Sequence, residues 1–146
     1  MKDAAAVKVL VDLIVERYHK IESSLPLLAK ELSHTERKAL RLVAAEGKVT
    51  IGGVGAALSL PPSSTTWMVG NMVKRGIFRR DPDPVDKRKT WITLAERGEA
   101  LSGLMERIPD RIAADLLYKL DKEQRDAFVE LVEQALARID EIGAFK

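Results

Sequence analysis

A mainly helical fold with one small β-hairpin is what this sequence predicts, and three observations lead there. Apolar residues recur at three- and four-residue steps over most of the 146 residues. Aromatics supply only 5% of the chain, so the core is packed chiefly from Leu, Ile, Val and Ala, the usual filling of helical proteins. Two short runs, 77–80 and 90–93, flank a connector whose two prolines and three aspartates rule out a helix in its first part.

Residues 3–22 set Val7, Leu10, Val11, Ile14, Val15, Tyr18 and Ile21 on one helical stripe. After the break at Leu25-Pro26, Ser33 and Glu36 form a capping box that opens a second helix, which runs to Glu46 and stops at Gly47. Thr50 caps a short third helix to Leu58. Its glycines, Gly52, Gly53 and Gly55, each cost about 1 kcal/mol relative to Ala, so tertiary packing must hold it. Pro61-Pro62-Ser63 opens a fourth helix with Met68, Val69, Met72 and Val73 as its buried stripe, and Gly76 ends it.

The two β runs then make a hairpin with a long charged tip. Thr93 and Glu96 predict another capping box, opening a helix that passes Gly98 and Gly103 and bends near Pro109. Asp121 with Gln124 caps a last helix lined by Phe128, Leu131, Val132, Leu136 and Ile139. One helix, three short helices, a hairpin and two longer helices contain the element order of a winged helix-turn-helix, a DNA-binding arrangement. The expected organisation is a winged helix-turn-helix lobe at 32–98 and a helical dimerisation lobe built from 1–31 and 99–146. Three flanking helices cannot cover all their apolar stripes within one short chain, so a homodimer is expected.

Composition excludes several classes. Without cysteine there is no disulfide, no thiolate-bound metal and no thiol nucleophile. The two histidines, His19 and His34, lie outside any metal-binding spacing, and His34-Thr35-Glu36 lacks the downstream cysteines that a zinc deaminase needs. Gly53-x-Gly55 ends on Leu58 where the dinucleotide fingerprint needs a small residue. The expectation is a chain that is not an enzyme and takes no cofactor or metal. Neither an apolar run of membrane length nor a secretory leader is visible, so the expected location is cytoplasmic, with no membrane partner.

The net charge is only +2, yet residues 71–90 hold seven Lys and Arg against three Asp. A recognition helix shows its exposed face to the major groove, and here the outward set is Ser63, Ser64, Thr66, Trp67, Asn71 and Lys74. Short hydroxyls at the helix start suit phosphate. Asn pairs with adenine through donor and acceptor together, and Lys reaches phosphate or guanine. Helix capping and a solvated lysine would account for these residues taken singly. The joint pattern favours DNA, because Arg79, Arg80, Lys87, Arg88 and Lys89 follow on a hairpin that reaches the narrow minor groove.

Leu32-Ser33, the Gly76 turn, Arg79-Arg80, Asp86-x-Arg88 and Leu94-x-Glu96-x-Gly98 resemble the MarR family of bacterial winged-helix repressors, over nearly the whole chain. The resemblance implies an obligate homodimer on a pseudo-palindromic double-stranded DNA operator, with each wing in a minor groove. It further implies that Asp86 orients Arg88, the group entering that groove, and that a small-molecule effector is possible. Trp67 stands where relatives carry a polar or basic residue; it either contacts thymine methyls or packs against a neighbouring helix, with packing favoured. Ala95 replaces the usual capping Thr, so Thr93 is expected to take over that cap. The rival reading is a winged helix used as a protein-interaction module without specific DNA binding.

Overall fold

Helix α1 (Lys2–Ser24) buries its predicted stripe only in part: Leu10, Ile14, Tyr18 and Ile21 are half-buried, whereas Val7, Val11 and Val15 stay exposed. The computed structural model describes residues 2–25 and 30–142, so the predicted break at Pro26 lies outside the described residues. Chain packing separates residues 1–109 from residues 110–146.

Helix α2 (His34–Glu46) starts at the predicted capping box. The Glu36 N–H donates to Ser33 Oγ at 3.2 Å, and the Ser33 N–H donates back to Glu36 Oε1 at 2.9 Å. Such a reciprocal pair satisfies two of the donors that a helix start leaves open. Ala39, Leu40 and Val43 from this helix are completely buried. Gly47 ends it at φ +78°, a conformation that favours glycine.

Thr50 has two roles. Val49–Thr50 forms a short strand, β1, and the Thr50 hydroxyl oxygen accepts from the Gly53 N–H at 3.0 Å to cap α3 (Ile51–Leu58). Helix α4 (Pro62–Lys74) packs beside α3 and buries Thr65, Met68, Val69 and Met72. At Gly55 a Cβ would sit 2.8 Å from Thr65 Oγ1 and 3.4 Å from the Leu60 carbonyl oxygen. The close approach of α4 therefore requires a residue that is a poor helix former.

Strands β2 (Phe78–Pro82) and β3 (Thr90–Leu94) pair antiparallel, with Arg80 opposite Ile92, and β1 adds to the free edge of β3. The sheet thus has three strands where the sequence predicts two. A two-residue strand is too short to show alternation. Helix α5 (Glu96–Leu117) begins without the predicted Thr93–Glu96 box. Thr93 remains in β3, and its hydroxyl donates to Asp81 Oδ2 at 2.6 Å, because a carboxylate across the strand pair takes the hydroxyl the cap would need.

Ile77, buried between α4 and β2, organises the base of the wing. Its carbonyl oxygen accepts from the Ala95 N–H at 2.9 Å, and a Cβ on Gly98 would overlap that oxygen. Around it, Leu40, Val43, Val54, Val69, Met72, Phe78, Ile92, Leu101, Met105 and Ile108 make up the core. The unit of residues 110–146 holds the end of α5 and helix α6 (Lys122–Ile142). Its cap forms as predicted: the Gln124 N–H donates to Asp121 Oδ1 at 2.9 Å, and the Asp121 N–H donates to Gln124 Oε1 at 3.0 Å. Phe128 is half-buried, while Leu131, Leu136 and Ile139 lie exposed.

Gly98→Ala is expected to destabilise the fold by about 1–3 kcal/mol, because backbone must move to admit the methyl group. A fall in the urea midpoint at fixed protein concentration measures it, and an unchanged midpoint contradicts the close contact.

Candidate nucleic-acid interface

The buried stripe of α4 turns a polar face outward. Ser63, Ser64, Thr66 and Lys74 are exposed, as the sequence predicts. No side chain caps the start of this helix, and Thr65, the one hydroxyl spent locally, donates to the Pro61 carbonyl at 2.9 Å. The exposed hydroxyls therefore do not serve as an N-cap, and the positive end of the helix dipole faces outward with them.

Two members of the predicted set differ from expectation. Trp67 does not pack against a neighbouring helix of this chain: it is 74% exposed, on the rim of a groove of about 420 Å³ that it shares with Thr35, Leu60, Ser64 and Met68. Buried Met68 and Met72 lie four positions apart on one stripe, and Trp67 lies just off it, so its ring turns to solvent. Asn71 is half-buried, and its Oδ1 accepts from Arg75 Nη1 at 3.1 Å. Arg75 also pairs with Glu36, the capping-box residue of α2.

The wing is built around carboxylates. Asp83 Oδ1 accepts from the N–H groups of Val85 and Asp86 at 2.9 and 2.8 Å, and Oδ2 accepts from Trp91 Nε1–H at 2.7 Å. These bonds hold the Asp83 carboxyl down at about 2, the indole first and the two backbone amides next. The indole face is covered by cations: Lys48 Nζ stands 4.5 Å from the ring centre and Lys89 Nζ 5.8 Å. Asp81 is likewise held below the ordinary carboxylate range, by the Thr93 hydroxyl and then by Arg79.

Asp86 accepts from both the backbone N–H and Nε–H of Arg88, at 3.0 and 3.3 Å, while the Arg88 side chain is 92% exposed. An exposed ion pair of this kind adds little stability. What it does is reduce the freedom of a guanidinium that projects into solvent. Lys87 and Lys89 are exposed beside it. Arg79 pairs with Asp81 at 3.1 Å, and Arg80 lies over α4 at Gly70, where a Cβ would meet its Nη2 at 3.4 Å. These two arginines belong to the root of the wing rather than to its tip.

Residues 32–90 match the model of the MarR family. An HTH-type transcriptional regulator of Mycobacterium bovis is 27% identical over 110 residues, covering 75% of this chain and 77% of that one. The fold is similar to that of a transcriptional regulator from Thermotoga maritima, with a TM-score of 0.79 at 17% identity, over 98% of this chain and 99% of that one. It is also similar to a MepR variant from S. aureus bound to an oligodeoxyribonucleotide, with a TM-score of 0.67 at 17% identity, over 92% and 97% of the two chains. The Mycobacterium bovis and Thermotoga maritima proteins are both described as transcriptional regulators.

The sequence alone does not mark Asp83, Trp91, Lys48, Glu36 and Arg75 as parts of this surface. Asp83 carries a local signal, since an Asp two and three residues before its backbone donors is the spacing of an Asx turn. Lys48 carries none, because Trp91 lies far away in sequence; Arg75 is four residues from Asn71, but nothing local marks its pairing with Glu36. Among the described residues no group of three or more His, Asp or Glu is placed to hold a metal ion.

Asp83→Ala is expected to speed amide hydrogen exchange at Val85 and Asp86 while leaving exchange in α2 unchanged. Because the folded Asp83 value lies below its ordinary 3.8, its ordering effect is complete above that pH and fades as pH falls toward about 2. A protection factor at Val85, with the intrinsic pH dependence of exchange divided out, that changes between pH 5 and 8 would contradict the assignment.

Proposed function

We propose that this chain is a sequence-specific DNA-binding regulator that acts as a homodimeric repressor and is released by a small-molecule ligand. The observation that carries the reading is Arg88, held by Asp86 at the tip of the wing and otherwise free to meet an anion. Beside the wing, α4 offers hydroxyls, an amide and a lysine on one face. The MepR variant seen with an oligodeoxyribonucleotide has the same fold, which supports placing DNA here as well. In this reading α4 enters the major groove and Arg88 the adjacent minor groove. The working site is the cytoplasm, where bacterial DNA lies.

A dimer accounts for the apolar surface that a single chain leaves open. Val7, Val11 and Val15 on α1, and Leu131, Leu136 and Ile139 on α6, are each about half exposed or more. Full burial of one such side chain is worth about 1.5–3 kcal/mol, and only the several half-exposed ones of both copies together offset the roughly 4–15 kcal/mol that association costs. Two copies present two α4 helices to half-sites about one helical turn, roughly 34–36 Å, apart. Occupation of such a site over a promoter blocks transcription.

The ligand reading rests on a crevice of about 320 Å³ in the unit of residues 1–109, lined by Tyr18, Arg41, Ala44, Ser102, Met105 and Pro109. It is largely apolar with a few polar groups, the usual character of a small-molecule site. Arg41 Nη1 donates to the Tyr18 hydroxyl oxygen at 3.1 Å and to buried Glu22 at 3.0 Å, so a ligand contacting Tyr18 or Arg41 touches an arrangement that joins α1 to α2.

Exposed Trp67 favours a second reading, a module that docks on another protein, since an exposed indole is a common anchor of such interfaces. Salt titration of binding to fragments of the upstream region separates the two. A DNA binder loses affinity steeply with salt, and Arg88→Ala should weaken binding to all sequences alike and reduce the salt slope by about 1. A slope unchanged in Arg88→Ala removes the wing assignment. Light scattering at micromolar concentration is expected to give a dimer, and Leu136→Glu a smaller species.

A further inference from the structure

The third strand brings to the wing a cation that the hairpin itself does not carry. Thr50 of β1 pairs with Trp91, and Val49 pairs with buried Ile92. Side chains alternate along a strand, so Lys48, one position before Val49, falls on the Trp91 face of the sheet. The contact bears this out: Lys48 Nζ stands 4.5 Å from the centre of the indole. Lys89 Nζ, from the tip of the wing, stands 5.8 Å from the same centre. One ring thus seats a cation from the α2–β1 turn and another from the wing tip.

The indole is fixed in turn. Its Nε1–H donates to Asp83 Oδ2 at 2.7 Å, and Asp83 Oδ1 is tied to the Val85 and Asp86 amides. An aromatic face attracts an ammonium without consuming its hydrogen-bond donors, of which lysine has three. Asp83 is one carboxylate against two ammonium groups, so the patch stays positive. Lys48 and Lys89 are both exposed, placed but not neutralised.

We propose that Lys48 contacts the DNA backbone and that Trp91 positions it, so that the nucleic-acid surface runs from the wing tip along the Trp91 face of the sheet to the α2–β1 turn. The inference rests on the DNA-binding reading above and extends it beyond residues 71–90, where the sequence concentrates its positive charge. With Arg88 in a minor groove about 6 Å wide, cations on the flank of the wing face the phosphates that border that groove. Lysine suits them as a compact charge that reads no base. Were Lys48 only a cover for the indole, its charge would not matter to binding.

The test is salt titration of full-length protein on fragments of the upstream region. Lys48→Met keeps methylenes over the ring and removes the charge. One phosphate contact is worth about 0.9 in salt slope, so between roughly 50 and 200 mM salt this variant should lose about three- to fourfold less affinity than the wild type. All sequences should weaken alike. Lys48→Arg should restore the wild-type slope, and Lys122→Met, which removes one charge from α6, should leave it unchanged. Trp91→Leu should weaken binding less in the Lys48→Met background than alone, a coupling that a purely structural role for the ring does not produce.

An unrestored slope in Lys48→Arg overturns the inference, as does an equal fall in Lys122→Met, since net charge alone would then account for it. Equal cost of Trp91→Leu in both backgrounds removes the positioning role. Should Lys48→Met fold poorly, Lys48→Gln decides in its place. A wild type whose binding to every fragment is insensitive to salt takes down the DNA-binding reading itself. A steep wild-type slope that Lys48→Met leaves untouched takes down this assignment alone.

Discussion

The presentation of α4 depends on how closely it lies against α3. Gly55 and Thr65 meet where a β-carbon on the glycine would intrude, and the Thr65 hydroxyl is turned back on the Pro61 carbonyl. That contact, with Met68, Val69 and Met72 buried behind it, leaves only one face of α4 available to solvent. Since the core is close-packed, a helix seated this way has little freedom to rotate. Every polar group on the exposed face inherits a direction from the buried one.

The wing solves a different problem, that of holding cations in place without neutralising their reach. Three aspartates are spread along it, and each is occupied: Asp81 by Thr93 and Arg79, Asp83 by Trp91 and two backbone amides, Asp86 by Arg88. Lys87, Arg88 and Lys89 remain exposed at the tip. The carboxylates act on geometry more than on net charge. A guanidinium already restrained loses less side-chain freedom on meeting a phosphate than a free one does.

The same economy of contacts appears between α2 and α4. Glu36 closes the cap of α2 and reaches Arg75 at the end of α4, so one side chain serves local structure and long-range alignment together. Glu22, buried on α1, stands 3.0 Å from both Arg37 and Arg41 of α2. Buried charges without partners are costly, so such clusters hold only in one arrangement of the helices. Rigid placement of the exposed face of α4 thus comes from polar contacts as well as from apolar packing.

Local pattern alone determined where the long elements lie, the capping boxes at Ser33 and Asp121, the break at Gly47 and the glycine stop at Gly76, because each depends on residues within a turn of one another. Asp86-x-Arg88 was also legible, since its partners are two residues apart. Pairing between distant residues was decided only by the tertiary structure. The third strand, the diversion of Thr93 to Asp81, the indole of Trp91 over Asp83 and the reach of Glu36 to Arg75 all join groups distant in the chain, and no spacing encodes which of two nearby acceptors a hydroxyl or guanidinium will choose. That choice follows from the positions the packed core imposes, and so it becomes visible only once the chain is folded.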